Sequence, residues 1–426
     1  MTENANRTGA AGVGAGSGLS TYPPTPNDWR AIGAALFAGV TAAMQIGKAS
    51  AALPLLRADF GAGVAEAAFY LGLFSLGAAL FGALVGIAAF RIGPLRAGAV
   101  GLVCIGIGSL AGAAAETWPI LLVGRLAEAV GLPLIVAAMP ALIHARSDGA
   151  ARVFALGLWS TWLPAGVAAA LALSVATNHL VGWRGLYVAC GLLPLLALLP
   201  LLAFARPDRA TAPPPREGKR DKALPRLRIF RRVDTGTLTV ALVFALFQGA
   251  YLTMQGFLPS VALETLGMPI ANANVFGGIA ALLVIPGNLV ASLLLSRGVA
   301  ARLLLGCAFT VMGLTAAAFL TSLLPPATRI LSGCLFTLAA GAPPAVLWGL
   351  IPRLSDRSGL SGALTSGILY QGAGLGQLLG PVIAGIVIQH VGGWAGGALV
   401  VCAFAAVAVI VLAARPAFPW LRPREA

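Results

Sequence analysis

Charge is scarce in this chain. Asp, Glu, Lys and Arg make up 10% of its 426 residues, where a soluble domain of that length carries about 25%. Histidine is nearly missing: His144, His179 and His390 are the three copies, each at the end of an apolar stretch. The five cysteines (Cys104, Cys190, Cys307, Cys334, Cys402) show neither CxxC nor metal-ligand spacing and read as small reduced hydrophobes. No Gly-x-x-x-x-Gly-Lys-Ser/Thr loop, His-Glu-x-x-His or Gly-x-Ser-x-Gly occurs. The chain therefore lacks the motifs that cradle nucleotide phosphates, hold a catalytic zinc or present a nucleophilic serine. These gaps argue against a soluble enzyme, a disulfide scaffold, an ATP-driven pump and a metalloprotein, and no cofactor is expected.

Apolar sequence fills the space instead. The chain is 58% hydrophobic, with a mean hydropathy of +0.90. A bilayer span needs roughly 20 apolar residues. Twelve such stretches lie near 30–54, 66–89, 95–115, 118–143, 153–177, 185–205, 236–258, 274–295, 302–323, 327–350, 361–389 and 394–414. Backbone groups in lipid must pair internally, and these stretches are too long and too uniform for barrel strands, so they read as helices. Residues 1–28, rich in Gly, Ala, Ser and Pro without an apolar core, read as a disordered tail rather than a signal peptide. The Pro- and charge-rich segment 206–235 reads as a linker between bundles at 29–205 and 236–415, with a short tail at 416–426.

The net charge of +14 could signal nucleic acid, but its distribution argues otherwise. With the N-terminus in the cytoplasm, 23 basic residues fall on the inner side, three (Arg57, Arg184, Arg329) on the outer side, and two (Lys48, Arg125) inside spans. That is the positive-inside asymmetry. It places both termini in the cytoplasm, with anionic lipid headgroups as a secondary contact and no nucleic-acid partner.

The linker divides the spans six and six, and landmarks recur across it. Leu53-Pro54 with Asp59 returns as Leu258-Pro259 with Glu264, an offset of 205. Arg91 and Arg96 return as Arg297 and Arg302, an offset of 206. Gly182-Trp183 returns as Gly393-Trp394, an offset of 211. Near-constant offsets argue for a duplicated six-span unit. An even number of spans gives both copies the same orientation, around a site near the midplane.

Four motifs resemble those of the major facilitator superfamily of transporters, over about residues 29–415. Gly86-Ile-Ala-Ala-Phe90-Arg91-Ile-Gly93-Pro94-Leu95-Arg96 resembles the family's Gly-x-x-x-Asp-Arg-x-Gly-Arg-Arg signature. Phe90 stands in place of its Asp, and Pro94-Leu95 in place of its basic pair. The resemblance assigns Gly86, Arg91 and Gly93 to gating, and Phe90 implies a gate that is weaker or differently made. Arg125-Leu-Ala-Glu128-Ala-Val-Gly131 resembles Arg-x-x-Gln-Gly-x-Gly. Gly376-Gln-Leu-Leu-Gly380-Pro381-Val-Ile-Ala384-Gly385 is similar to the Gly-x-x-x-Gly-Pro-x-x-Gly-Gly pattern. Exporters carry that pattern on the fifth span, where Trp159-Ser-Thr-Trp162-Leu-Pro164-Ala-Gly166 stands here. Gly157-Leu-Trp-Ser160 and Gly182-Trp-Arg184 resemble the cyanate and nitroimidazole transporter branch. The resemblance implies an all-α integral membrane fold of twelve transmembrane helices in two pseudo-symmetric six-helix bundles, working by alternating access as a monomer in a bacterial-type inner membrane.

Three charges lie deep in apolar sequence: Lys48, Arg125 and Glu128. Such residues mark solute or proton paths. Rise per residue puts Lys48 and Arg125 at one depth, roughly 7–10 Å outside the midplane. Two cations there require an anion between them, which is either Glu128 or a substrate. Arg125 and Glu128, three residues apart, share a helix face. They are either a neutralising pair or a substrate site with Glu128 as the proton-exchanging group. Arg329, 204 residues after Arg125, is either a surface anchor or a group at the cavity mouth. Gln248, Tyr251 and Gln255 share one face of the seventh span, as cavity lining or as glue between helices. Trp159 and Trp162 stack on a substrate or simply pack. Gln45, Tyr370 and Gln371 complete the substrate-binding candidates, and the glycines of span eleven read as a packing seam between bundles. The reading is a proton-coupled secondary transporter of a small organic anion or weak acid, with Glu128 as the group that exchanges the proton. A proton-driven efflux antiporter for drugs or metabolites, including siderophore-like compounds, is the alternative.

Overall fold

The computed structural model describes residues 27–205 and 233–414. The expected tails and most of the linker lie outside them. The first half comprises α1 (Trp29–Phe60), α2 (Val64–Leu73), α3 (Leu76–Ile92), α4 (Pro94–Ala113), α5 (Trp118–Ala145), α6 (Gly149–Trp159), α7 (Trp162–Leu180) and α8 (Gly182–Phe204). The second comprises α9 (Thr235–Leu266), α10 (Ile270–Ser296), α11 (Ala301–Leu320), α12 (Pro326–Ala340), α13 (Ala342–Gly349), α14 (Ile351–Ser358), α15 (Gly362–Val391) and α16 (Ala395–Ala414). Eleven helical segments are long and apolar enough to cross a bilayer, and α6 with α7, bent by 42°, make a twelfth. Among the described residues, this is the all-helical twelve-span architecture expected from the sequence.

The duplication shows in the helix ends. Asp28 caps α1 by accepting from the Ala31 N–H, and Asp234 caps α9 by accepting from the Thr237 N–H. Each carboxylate also pairs with an arginine at the near end of the fourth or tenth span: Asp28 with Arg146 at 3.2 Å, Asp234 with Arg357 at 3.3 Å. Burial alone would push the Asp234 carboxyl up. Hydrogen bonds from the Thr237 hydroxyl and N–H, with Arg357 alongside, hold it below the ordinary value. At the other end, α1 stops at Gly61 and α9 at Gly267, both left-handed with φ of 65°.

Both helices outrun their expected spans. The sequence reading closed them at Leu53-Pro54 and Leu258-Pro259, yet each proline sits inside a continuous helix. Proline removes one N–H and frees the carbonyl four residues earlier. For Pro259 that carbonyl belongs to Gln255, and Ser50 Oγ of α1 donates to it at 2.9 Å. A polar group from the other half thus takes up the loose acceptor, and the helix continues.

The halves meet where α15 lies along α2 and α3, α7 along α10, and α1 along α9. The side of the bundle that carries residues 29 and 414 is called here the termini side, and the opposite side the distal side. The α7–α10 contact lies towards the distal side: Asn274 Nδ2 donates to Ser174 Oγ at 2.9 Å and to the Ala51 carbonyl at 3.4 Å. Nearer the termini, α6 packs chiefly on α1 and α5, and α13 on elements of its own half. The halves therefore meet distally along three seams; the α3–α15 seam continues towards the termini through Gly82–Gln371 and Ala83–Gly367, while α6 and α13 pack within their own halves.

Candidate functional site

Gly108 on α4 and Gly124 on α5 lie back to back, so that a Cβ on either would meet the other's carbonyl oxygen at 2.6 Å. That close approach lets Glu128 reach across the first half. Its Oε1 pairs with Lys48 Nζ at 2.5 Å and its Oε2 with Arg125 Nη1 at 2.6 Å. The three residues are 2%, 0% and 2% exposed, respectively.

The rest of the coordination is nearly complete. Lys48 Nζ donates to Ser109 Oγ at 2.5 Å and lies 4.4 Å from the centre of the Tyr187 ring. Its three donors are thus all engaged. Ser109 Oγ in turn donates to the Tyr187 carbonyl at 2.8 Å. Arg125 donates to the backbone carbonyls of Gln45 and Tyr70 at 2.8 and 3.3 Å, and lies over the Tyr70 and Phe74 rings. The Tyr70 and Tyr187 hydroxyls are hydrogen-bonded to each other. Five elements, α1, α2, α4, α5 and α8, are tied through one carboxylate.

Of the alternatives left open by the sequence, the anion between the two cations is Glu128. Lys48 also turns away from the other half. Ser50 faces α9, and two residues along a helix correspond to about 200° of rotation, so Lys48 points into its own bundle. Gln45 does likewise, donating to the Thr41 and Cys190 carbonyls at 3.2 and 2.8 Å. In this closed-distal state none of the three first-half polar candidates Lys48, Gln45 and Arg125 faces the dividing plane.

Among the described residues, the second half has no counterpart to the triad. Offsets of 205 from Lys48 and Glu128 fall on Thr253 and Gly333. Arg329 lies at the distal end, where it donates to the Phe319 carbonyl at 2.9 Å and to Thr265 Oγ1 at 2.6 Å. It anchors three helices and does not reach the middle of the bundle. What α9 carries at mid-depth is uncharged. Gln255 Nε2 donates to the Gly277 carbonyl at 3.3 Å, while Gln248 Oε1, Tyr251 Oη and Gln255 Oε1 are buried without a partner. Tyr370 and Gln371 are half-buried on α15, with the Gln371 backbone against Gly82 of α3. Trp159 and Trp162 flank the break between α6 and α7 and stack at 5.4 Å, with Trp159 pressed on Gly39 of α1.

Of the gating candidates, Arg91 is exposed and Gly93 has φ of 91° in the turn between α3 and α4, a conformation that favours glycine. Gly86 lies in α3 among positions whose side chains are not described. The glycines of span eleven divide into two sets, correcting the expectation of one seam between bundles. Gly372, Gly376 and Gly380 pack on α9 within their own half, whereas Gly374 and Gly385 face α3 and α2. A helix has room for both stripes because residues four apart share a face.

The distal closure was partly legible. Each Asp/Glu landmark accepts from its Gly-Trp landmark: Trp183 Nε1 donates to Asp59 Oδ2 at 2.6 Å and Trp394 Nε1 to Glu264 Oε2 at 3.1 Å. The sequence showed the recurrence without showing that its parts touch. Arg57 then bridges the halves, 2.7 Å from Glu264 Oε1. The pair is partly solvated, so its worth is about 0.2–1 kcal/mol. Arg57→Ala is expected to raise maleimide labelling of a cysteine placed at Ser50, in a background without the native cysteines, by about two- to fivefold. Unchanged labelling would remove the pair from the closure.

The profile of the Major Facilitator Superfamily matches residues 35–370. The chain belongs to the Major Facilitator Superfamily. It is therefore a membrane transporter rather than an enzyme, built for secondary transport. A comparison with curated proteins finds no match. Among solved structures, it is similar to a bacterial homolog of the human lysosomal transporter Spinster in an inward-facing, unoccupied conformation, with 18% identity, a TM-score of 0.71, and coverage of 95% of this chain and 100% of that one. The same homolog in an inward-facing, occupied conformation gives 17% identity, a TM-score of 0.70 and the same coverage. A D-xylose-proton symporter gives 16% identity and a TM-score of 0.69, over 91% of this chain and 97% of that one. At these identities the likeness concerns the fold alone.

Proposed function

We propose that this superfamily member moves a small organic weak acid or anion together with protons, and that the Lys48–Glu128–Arg125 triad is the proton-linked element. The observation that carries the reading is the charge sum. Two cationic side chains share one carboxylate, so with all three groups ionised the triad carries a formal +1 in the middle of a bundle, where an unbalanced charge is expensive. At an effective dielectric of 20, one unit charge favours an anion roughly 10 Å away by about 1–2 kcal/mol. The triad can thus bias the central space towards an anionic solute without touching it. Contact with the solute falls to the uncharged groups of α9 and α15 and to the tryptophans of α6 and α7.

The charge asymmetry of the loops supports a cytoplasmic termini side. The distal closure then corresponds to an inward-facing state in a bacterial-type inner membrane, with Arg91 and Gly93 at the cytoplasmic gate. Efflux by exchange for protons is the alternative, in which solute and proton cross in opposite directions.

Lys48→Met leaves the neutral Arg125–Glu128 pair. In proteoliposomes with an imposed pH gradient, it is expected to lower accumulation of labelled lactate, glycolate or 4-hydroxybenzoate, measured above protein-free vesicles, by about 5- to 150-fold. Counterflow without a gradient should persist. Unchanged accumulation by the variant would refute the coupling role, and no accumulation of any of the three by the native protein would refute the weak-acid reading.

A further inference from the structure

The second span is broken near Ser75. α2 ends at Leu73 and α3 begins at Leu76, with no proline between Val64 and Ile92. Ser75 has φ of −90° and ψ of −1°, far from the ψ of about −42° of a regular helix. Its N–H donates to the Gly72 carbonyl, three residues back, at 2.9 Å. Without proline, a break is commonly made by a side chain that enters the hydrogen-bond ladder, and Arg125 of α5 is placed to do so. Its Nε donates to the Tyr70 carbonyl in the last turn of α2 at 3.3 Å. Its guanidinium lies 5.0 Å from the centre of the Tyr70 ring and 4.9 Å from that of Phe74.

The break also divides the seam with α15. On its distal side, α2 meets α15 through Gly72 against the Leu378 backbone and Ala68 against Gly385. On its termini side, α3 meets α15 through Ala78 against Gly374 and Gly82 against Gln371. Between the two stretches, Ser75 Oγ donates to Gln377 Oε1 at 2.8 Å, and both residues are buried. Gly77, two residues on, lies so close to α5 that a Cβ there would fall on the Ala129 carbonyl oxygen, next in sequence to Glu128. The break is thus held from two sides, by α15 of the other half and by the helix that carries Arg125 and Glu128.

We propose that this break is a pivot, and that Phe74 and Ser75 are positioning residues through which the charge triad acts on the distal seam. Arg125 holds the end of α2 by the Tyr70 carbonyl and the Phe74 ring, and Ser75 pins the pivot to Gln377. While Arg125 keeps these contacts, α2 stays docked on α15. When it is drawn away, the α2 arm swings off α15 and α3 remains in place. The inference rests on the proton-linked reading of the triad and deepens it. A proton taken up by Glu128 from water cancels the charge facing Arg125 Nη1, and the guanidinium carries that change to the break.

Double electron–electron resonance on the full chain in detergent, in a background without the native cysteines, tests the pivot. One spin-label pair, at Gly63 and Gln389, joins the distal ends of α2 and α15; a second, at Ile92 and Gly362, joins the termini-side ends of α3 and α15. Arg125→Met leaves the neutral Lys48–Glu128 pair. It is expected to raise the ratio of long to short distances in the first pair by about fivefold or more, with the second pair unchanged. Phe74→Leu, which takes the ring face from Arg125, should act in the same direction by about two- to fivefold, and serves if the arginine variant does not fold. With Ser75→Ala and Gln377→Leu together as the background, the effect of Arg125→Met should shrink by about threefold or more. A tryptic or thermal loss of stability alone would not produce that dependence. Movement of both label pairs, as in rigid rotation of the halves, overturns the pivot. So does an undiminished Arg125→Met effect in the double background, or a distal pair that responds to neither variant. If Lys48→Met accumulates solute like the native protein while the labels behave as expected, the proton role is refuted and the pivot stands.

Discussion

Glu128→Ala is expected to abolish recovery of folded protein, before any question of transport arises. The substitution removes the one carboxylate between Lys48 and Arg125, both essentially inaccessible to solvent. Two like charges then remain buried without a counterion. Breaking a buried pair in this way costs about 3–5 kcal/mol, against a net stability of about 5–15 kcal/mol for a typical domain. Lys48→Met is the contrasting case. It leaves Arg125 paired with Glu128, removes the uncompensated charge, and replaces the amine with a flexible apolar chain of similar length. Its stability should stay within about 1 kcal/mol of the native protein. The readouts are the monodisperse fraction on size exclusion and the apparent midpoint of thermal unfolding in the same detergent. Triple replacement of Lys48, Arg125 and Glu128 by Met, Met and Leu should recover folding but not proton-driven accumulation. A Glu128→Ala protein as stable as the native one would show that the triad does not hold the first half together.

Gly72→Val should force the distal side open. A Cβ at Gly72 of α2 already meets the Leu378 carbonyl oxygen of α15 at 2.5 Å, and the Leu378 Cα at 3.2 Å. Those atoms are backbone on the opposing half and have no rotamer by which to yield. Overpacking of this kind costs about 1–3 kcal/mol. The contact joins the two halves, so the cost falls on the closed arrangement seen here. The population should therefore move by about 5- to 150-fold towards distal opening. Labelling of a cysteine at Ser50 by an impermeant maleimide added on the distal side should rise accordingly, and net transport should fall because the cycle cannot close. The effect should exceed that of Arg57→Ala, since solvent screens the ion pair whereas a steric overlap is unscreened. If labelling and transport matched the native protein, the α2–α15 contact would not belong to the moving seam.

The two predictions separate what a linear reading of this chain can and cannot reach. Scarce charge, twelve apolar stretches and the basic asymmetry of the loops are one-dimensional quantities, and bilayer thickness converts them directly into spans. The offset between Leu53-Pro54 and Leu258-Pro259 likewise revealed the duplication without coordinates. Helical rise placed Lys48 and Arg125 at one depth, and the structure brings both onto one carboxylate. Depth along a helix follows from counting; the direction a residue faces across the bundle does not. Lys48 reads in the sequence as a residue of a solute or proton path, yet α1 meets α9 through Ser50 on the other face. Ser109, Tyr70 and Tyr187, which complete the triad's surroundings, carried no sequence signal because serine and tyrosine in a span look like ordinary packing residues. The Leu-Pro pairs read as span ends because the proline's lost hydrogen bond is a local fact, whereas the hydroxyl that replaces it comes from 209 residues earlier.

Composition and spacing along the chain are enough to set the solvent this protein folds in, the number of its spans, the duplication of its halves, and the rarity that singles out Lys48, Arg125 and Glu128. Which helix faces meet is settled in three dimensions. Tertiary packing turned three isolated charges into a single buried triad inside one half, gave α9 an aromatic and amide face with unpaired acceptors, and divided the glycines of α15 between two neighbours. The physical reason is that hydropathy and charge act over a whole segment, whereas hydrogen bonds and steric overlap act within about 3–4 Å. At that range the rotation of each helix about its axis determines which groups meet.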